Sequence, residues 1–266
     1  MTKTSQEDLV RTFFDQDSGR YIADRYPAKA RSCSQYSYLV RREHALRLLG
    51  HAPSGAHRLL DVGCGPGVYT GDLLRLGWKV TGMDLSPGML REAKSSYAEA
   101  DAPPVFLAGN AALLPFESSS FDAVICIGVI SYVESLDAAL AEIGRVLTPS
   151  GAAVLQVSNS ESMFELAVRV RRWLSKRRRG AASGSDALFE KIRLRPYRAA
   201  TLRKACRVAG LEPVRGRYYD FSIPVLTRAP RPALWLARRL ESLKDTGALA
   251  WLGASYLLSV RRAREQ

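Results

Sequence analysis

Apolar positions from about residue 55 onward alternate between short continuous runs and stretches at helical spacing. Leu59, Leu60 and Val62 make a short run that predicts a buried strand, and Val68 to Leu76 then takes a helical period. Trp78 to Met83 is the next strand-like run. A helix from Pro87 to about Ala100 follows, with Ser86 as its cap and Pro87 at its first position, and Asp101-Ala102-Pro103-Pro104 ends it. Val105–Ala108, Phe121–Ile127 and Ala152–Val157 predict three more strands, with a helix over 136–147 and a turn at Pro149-Ser150-Gly151. Phe121–Ile127 is apolar on both faces, as a central parallel strand is. A helix over 199–209 stops at Gly210, Glu212–Phe221 reads as a sixth strand and Ser255–Val260 as a last one. Strands alternating with helices predict an α/β doubly wound, mostly parallel seven-stranded sheet.

Two regions lie outside this alternation. Residues 6–50 read as helical, with Phe13, Phe14, Tyr21, Tyr26, Tyr36 and Tyr38 among them, and Pro53-Ser54-Gly55 breaks the helix before the first strand. Residues 161–179 place Met163, Leu166, Ala167, Val170, Trp173 and Leu174 on one helical side and Arg169, Arg172, Lys176 and Arg179 on the other. Gly180–Asp186 reads as a linker. A second amphipathic stretch over 232–244 puts Leu236, Leu240 and Leu243 on one face, with Trp235 near its start and Trp251 just beyond.

Charge sharpens this picture. The net charge is +13, yet residues 1–157 hold 15 Lys and Arg against 17 Asp and Glu, and residues 158–266 hold 24 against 9. The basic excess lies wholly in the C-terminal part, as a docking face for an anionic surface would. Three readings stay open: solvated helix faces that cap the sheet, an anionic membrane surface met by residues 163–179 and 232–244, and nucleic acid. The 176–179 cluster has no interleaved aromatics and the chain has no N-P-P-[YF] motif, which speaks against nucleic acid. No run of about 18 apolar residues predicts a spanning helix, and Met1–Val10 lacks the apolar core of a secretory signal. Four scattered cysteines predict reduced thiols in a cytoplasmic protein, peripheral to the inner face of a membrane if the basic helices dock there. His44, His51 and His57 have no ligand spacing, so no metal is expected.

The candidate chemistry sits at the first strand's end. Gly63, Gly65 and Gly67 alternate between strand and helix, where glycine permits a tight turn and lets a ligand lie on bare backbone. Asp84 ends the second strand, in place to accept both hydroxyls of a ribose. The loop reads G-x-G-x-G, not the G-x-G-x-x-G of dinucleotide sites, and Asp61 before it suits a ligand carrying an ammonium and a sulfonium. Four blocks follow one another: Leu60-Asp61-Val62-Gly63-Cys64-Gly65-Pro66-Gly67, Val80 to Ser86, Asn110 to Phe116 with Ser120-Phe121-Asp122, and Glu142 to Gly151. In these blocks, over roughly residues 55–158, the chain resembles the class I S-adenosylmethionine-dependent methyltransferases of small molecules.

The resemblance implies one Rossmann-like methyltransferase domain: a helical lid (1–54), a cofactor-binding core (55–158), a basic helical insertion (159–198) and a completion of the sheet (199–266), with the last strand antiparallel at the edge. It implies S-adenosyl-L-methionine as cofactor, with Gly63, Gly65 and Gly67 at the methionine part, Asp84 at the ribose, Leu85 and Met89 against the adenosyl group, and Asn110 with Ala111 at the adenine. Asp61, Cys64 and Ile127 complete the set. Many similar enzymes carry Asp where Asn110 stands, and Asn can still accept through its carbonyl oxygen. Tyr21, Tyr26, Tyr36 and Arg42 are lid candidates for shaping an acceptor pocket. Tyr36 and Tyr132 are weak candidates for positioning the acceptor, each also readable as packing alone. No histidine base carries over near Tyr132, and Cys64 is expected to be merely small, not a nucleophile. The expected activity is methyl transfer to a small acceptor, lipophilic or held in a membrane, on oxygen. Met163, Phe164 and Trp173 are expected to wall its pocket. Open beside this are C- or N-methylation of a soluble metabolite, a cofactor-binding protein that transfers nothing, and a cyclase on the same fold. Oligomeric state is not legible.

Overall fold

Seven strands form one sheet: β1 (Arg58–Val62), β2 (Lys79–Asp84), β3 (Val105–Ala108), β4 (Phe121–Cys126), β5 (Leu147–Ser158), β6 (Leu211–Tyr219) and β7 (Ser255–Arg262). The computed structural model describes residues 4–53, 57–167, 185–221, 230–242 and 252–263. The strand order is β3-β2-β1-β4-β5-β7-β6. Neighbours from β3 to β5 pair parallel, and β7 is antiparallel to both β5 and β6. The chain order reverses between β1 and β4, so the crevice past their C-terminal ends is where an open α/β sheet takes its ligand.

Alternation along the strands divides the core. Leu60, Val62, Val124, Cys126, Leu155 and Val157 face the layer of α6 (Leu136–Val146) and α8 (Ala199–Val208). Leu59, Ala123, Ile125 and Val154 face α3 (Cys33–Leu49) and α4 (Thr70–Arg75) on the other side. The same parity sends Asp61 to the α3 side. Burying a large aliphatic side chain of this kind contributes about 1.5–3 kcal/mol.

Local sequence explains the remaining boundaries. The N-terminal segment is not one helix but three: α1 (Gln6–Asp17), α2 (Tyr21–Arg25) after a 3-10 turn, and α3, separated by a stretch containing Pro27. Ser5 caps α1 by accepting from the Asp8 amide, and Ser32 caps α3 by accepting from Gln35. Helix α5 (Pro87–Ser96) starts as its sequence predicts, with the Ser86 hydroxyl accepting from the Met89 amide. The expected turn at Pro149-Ser150-Gly151 falls inside β5, where the register with β4 slips by three residues: Phe121 pairs with Leu147, but Ala123 pairs with Ala152.

The last strand corrects the sequence expectation. It is antiparallel but not at the edge, because β7 lies between β5 and β6 with Tyr256, Leu257, Leu258 and Val260 buried. Strand β6 takes the edge instead. Its exposed Glu212 and Arg215 and its Pro213 suit a strand with one unpaired side.

Beyond β5 the chain is helical over 163–167, and α7 (Ser185–Lys191) resumes it. Arg169, Val170, Arg172, Trp173, Leu174, Lys176 and Arg179 lie outside the described residues, as do Leu243 and Trp251. Helix α9 (Pro230–Ser242) buries Ala233, Ala237 and Glu241, while Leu236 and Leu240 are only half-buried. Its small alanines allow close approach to α3, where the Glu241 carboxylate lies 3.1 Å from His44 Nε2.

Candidate active site

The glycine loop is drawn onto β2 by two hydrogen bonds, from the amides of Gly63 and Cys64 to the Met83 carbonyl (2.7 and 3.0 Å). Gly63, Gly65 and Gly67 all hold positive φ, at 73°, 55° and 79°. A Cβ on Gly63 would stand 2.0 Å from Val129 Cγ2. At Gly65 a Cβ would meet no protein atom within 4 Å, so that stretch of backbone is bare toward the cleft. The Asp84 carboxylate accepts from the amides of Gly65 and Ser86, both at 2.8 Å, and so pins the loop to the start of α5. Burial raises its pKa and these amides oppose the rise.

A cleft of about 800 Å3, counting its open mouth, runs from this loop across the sheet's C-terminal edge. Of the residues expected to bind cofactor, Gly63, Gly65, Asp84, Leu85, Met89, Asn110, Ala111 and Ile127 line it. Asp61, Cys64 and Gly67 do not. Cys64 is buried beside Leu90, Ala93 and Phe106, and burial pushes its thiol well above the usual cysteine range. Gly67 turns to α5, where its carbonyl accepts from the Tyr97 hydroxyl. Asp61 lies beneath the loop at 1% exposure, with Oδ2 lacking a partner, and burial followed by the nearby Asp84 pushes its pKa up to about 8.

Of the two tyrosine candidates, only Tyr132 lines the cleft. It meets Phe14 edge to face (centroids 5.5 Å), and burial pushes its pKa up to about 12. Tyr36 sits under Arg238 of α9, away from the cleft, and burial and then Glu241 push it up to about 12. Tyr21 lines the cleft, with its proton held more tightly by burial and by Tyr26. Arg42 is engaged with Asp72. Met163 and Phe164 are exposed (47% and 41%) and do not line the cleft, and Trp173 lies outside the described residues.

The N-terminal helices contribute residues that spacing did not single out. Glu7, Val10, Arg11 and Phe14 of α1 roof the cleft. Asp15 Oδ1 accepts from the Ser86 hydroxyl (2.5 Å) and the Gly88 amide (2.8 Å), at the N-terminus of α5. Gln6 exchanges two hydrogen bonds with the Arg193 backbone, both 3.1 Å, and Phe13 meets Phe189 of α7 at 5.2 Å. Arg41 of α3 donates to the Tyr26 hydroxyl, lies 4.5 Å from the Tyr38 ring centroid and leaves Nε unpartnered. Its Nη1 would be 3.1 Å from a Cβ on Gly128, at the cleft wall.

A family model described as a methyltransferase domain matches residues 60–155. A demethylmenaquinone methyltransferase of Mycobacterium sp. (strain KMS) is 34% identical over 199 residues, 72% of this chain and 82% of the relative. The chain belongs to the S-adenosylmethionine-dependent methyltransferases. A malonyl-[acyl-carrier protein] O-methyltransferase of Erwinia pyrifoliae is 36% identical over 146 residues, 54% of each chain. The chain thus spans about half the length of the first curated relatives it matches. The magnesium protoporphyrin IX methyltransferase of Synechocystis PCC 6803, crystallised with S-adenosylhomocysteine, shares the methyltransferase fold at 16% identity. It superposes with a TM-score of 0.66 over 97% of this chain and 100% of its own.

Proposed function

We propose that this methyltransferase moves a methyl group from S-adenosylmethionine to an oxygen of a small, lipophilic acceptor. The observation that carries the reading is one cleft whose lining joins the glycine loop, Asp84 and Asn110 with the aromatic side chains of Phe14, Tyr21 and Tyr132. The names of the Erwinia and Mycobacterium relatives, one an O-methyltransferase, add support.

The residues present fit the cofactor. Asp84 lines the cleft at the end of β2, where its carboxylate suits the ribose hydroxyls. The bare backbone at Gly65 leaves room for the chain that joins the ribose to the amino-acid end. From beneath the loop, the Asp61 carboxyl, whose Oδ2 lacks a partner, suits an ammonium bound there, and the Arg41 guanidinium behind Gly128 suits the carboxylate. Bound S-adenosylmethionine supplies a methyl group that its sulfonium has already activated. The chain's own task is then alignment and exclusion of water. Tyr132 and Tyr21 hold their protons, so they orient an acceptor oxygen as donors and do not deprotonate it. An oxygen already ionised in water, that of a carboxylate or an acidic phenol, needs no base.

The test uses cofactor tritiated on its methyl group with a panel of lipophilic carboxylates and phenols. S-Adenosylhomocysteine should accumulate with labelled product. Volatile label released by alkali marks an ester, and stable label marks an ether. Label on nitrogen or carbon would overturn the oxygen assignment. Cofactor binding without turnover on any acceptor would favour a non-transferring protein.

We also propose that the chain meets a membrane from outside. Among the described residues no helix is long and apolar enough to cross one. Exposed Trp235 (62%) on α9, with Arg239 beside its ring, and exposed Met163, Phe164 and Leu166 at the start of the insertion support interfacial docking.

A further inference from the structure

We propose that Glu7, on the lid helix α1, is a specificity residue that recognises the 6-amino group of the cofactor's purine. The inference rests on the reading that the cleft holds S-adenosylmethionine. The amide at position 110 motivates it. Asn110 Oδ1 already accepts from the Ala112 amide at 2.9 Å, and its Nδ2 donates to Glu7 Oε1 at 2.6 Å. Asn110 therefore brings no charge to the adenine end. The carboxylate at that end comes from α1, 103 residues away in sequence.

The neighbouring acid shows that this is not simply helix-end charge. Glu7 and Asp8 both lie in the first turn of α1, where acids complement the helix dipole. Asp8 spends its carboxylate on Ser5 and Arg11 at the surface. Glu7 turns the other way and lines the cleft with Asn110, Ala111, Leu85 and Met89, the residues assigned to the adenosyl group. A purine 6-amino group has two hydrogens to place. The second lone pair of Asn110 Oδ1 takes one, and the Glu7 carboxylate takes the other as a charge-assisted bond. A 6-oxo purine offers an acceptor at the same position and would face two acceptors, so Glu7 selects against it.

The test compares S-adenosylhomocysteine with S-inosylhomocysteine by calorimetry on the full chain. The wild-type protein should prefer the adenosyl ligand by about tenfold to hundredfold. Glu7→Gln replaces an acceptor with a group that can donate to the 6-oxo oxygen. It should weaken adenosyl binding and strengthen inosyl binding, shrinking the ratio at least tenfold. Circular dichroism and the affinity for the inosyl ligand itself report that the variant is folded. The double variant Glu7→Gln with Asn110→Asp moves the carboxylate across the pair and should restore the preference. An unchanged ratio in Glu7→Gln, or no restoration in the double variant, overturns the assignment. A wild-type protein that binds neither ligand would overturn the reading of the cleft instead.

Discussion

Asp84 joins the glycine loop to the start of α5 and also lines the cleft, so its loss acts twice. Asp84→Ala should cost about 1.5–3 kcal/mol of cofactor binding, read as a ten- to hundredfold rise in Kd by calorimetry. Asp61 makes a different prediction. In the folded chain it holds its proton up to about pH 8, whereas unfolded it loses it near 4. Between those values the native state carries the extra proton. Its stabilising contribution is full below about pH 4 and is lost as pH rises through 8, with a slope of up to about 1.4 kcal/mol per pH unit. Thermal melts of the ligand-free protein should fall across this window, and Asp61→Asn should flatten the fall. An ammonium placed beside Asp61 would favour its charged form. Cofactor binding at pH 7 should therefore release a proton, visible as a dependence of binding heat on buffer ionisation enthalpy. That Asp84, Gly63 and Gly65 line the cleft was legible because a tight turn and a bare backbone restrict which residue types fit, whereas Gly67, read with them, turns to α5. Glu7, Asp15 and Arg41 were not legible. Each sits on a helix with unremarkable spacing, and only the tertiary fold carries Glu7 into the cleft lining, Asp15 to the start of α5 and Arg41 to the back of Gly128.

At the scale of elements, α1 is held at both of its ends. Gln6 ties the start of α1 to the Arg193 backbone, and Asp15 ties its end to the N-terminus of α5. The second contact combines a helix cap with an anion at a helix dipole. Asp15→Ala should loosen it by about 1 kcal/mol, raising the cofactor's dissociation rate about fivefold and speeding amide exchange along α1. If exchange in α1 is unchanged, the lid is held by its apolar roof residues instead. Element types followed well from periodicity, because the core strands are apolar on both faces. Their arrangement did not follow. The interior place of β7 depends on which of two late strands has the more apolar pair of faces, a comparison between segments far apart in the chain. Pro149-Ser150-Gly151 reads locally as a turn, and only the pairing with β4 shows that β5 extends on both sides of it.

For the whole molecule, the charge division predicts salt-sensitive docking. Flotation with anionic vesicles should fall as salt rises, since exposed charges are screened within about 8 Å at physiological ionic strength. Deleting residues 163–182 behind a Gly/Ser linker should weaken flotation, while turnover of a short water-soluble acceptor is kept. Equal recovery on neutral and anionic vesicles would leave the basic residues as solvated surface. The place of β7 also bears on how the chain is assembled. Among the described residues, strand β6 pairs in the sheet only with β7, although it is synthesised first. Until residues 255–262 have left the ribosome, β5 presents an open backbone edge and β6 has no place to dock. A nascent chain stalled in the 220s should therefore resist neither protease nor self-association through β5. Release of those eight residues should seal both strands in one step.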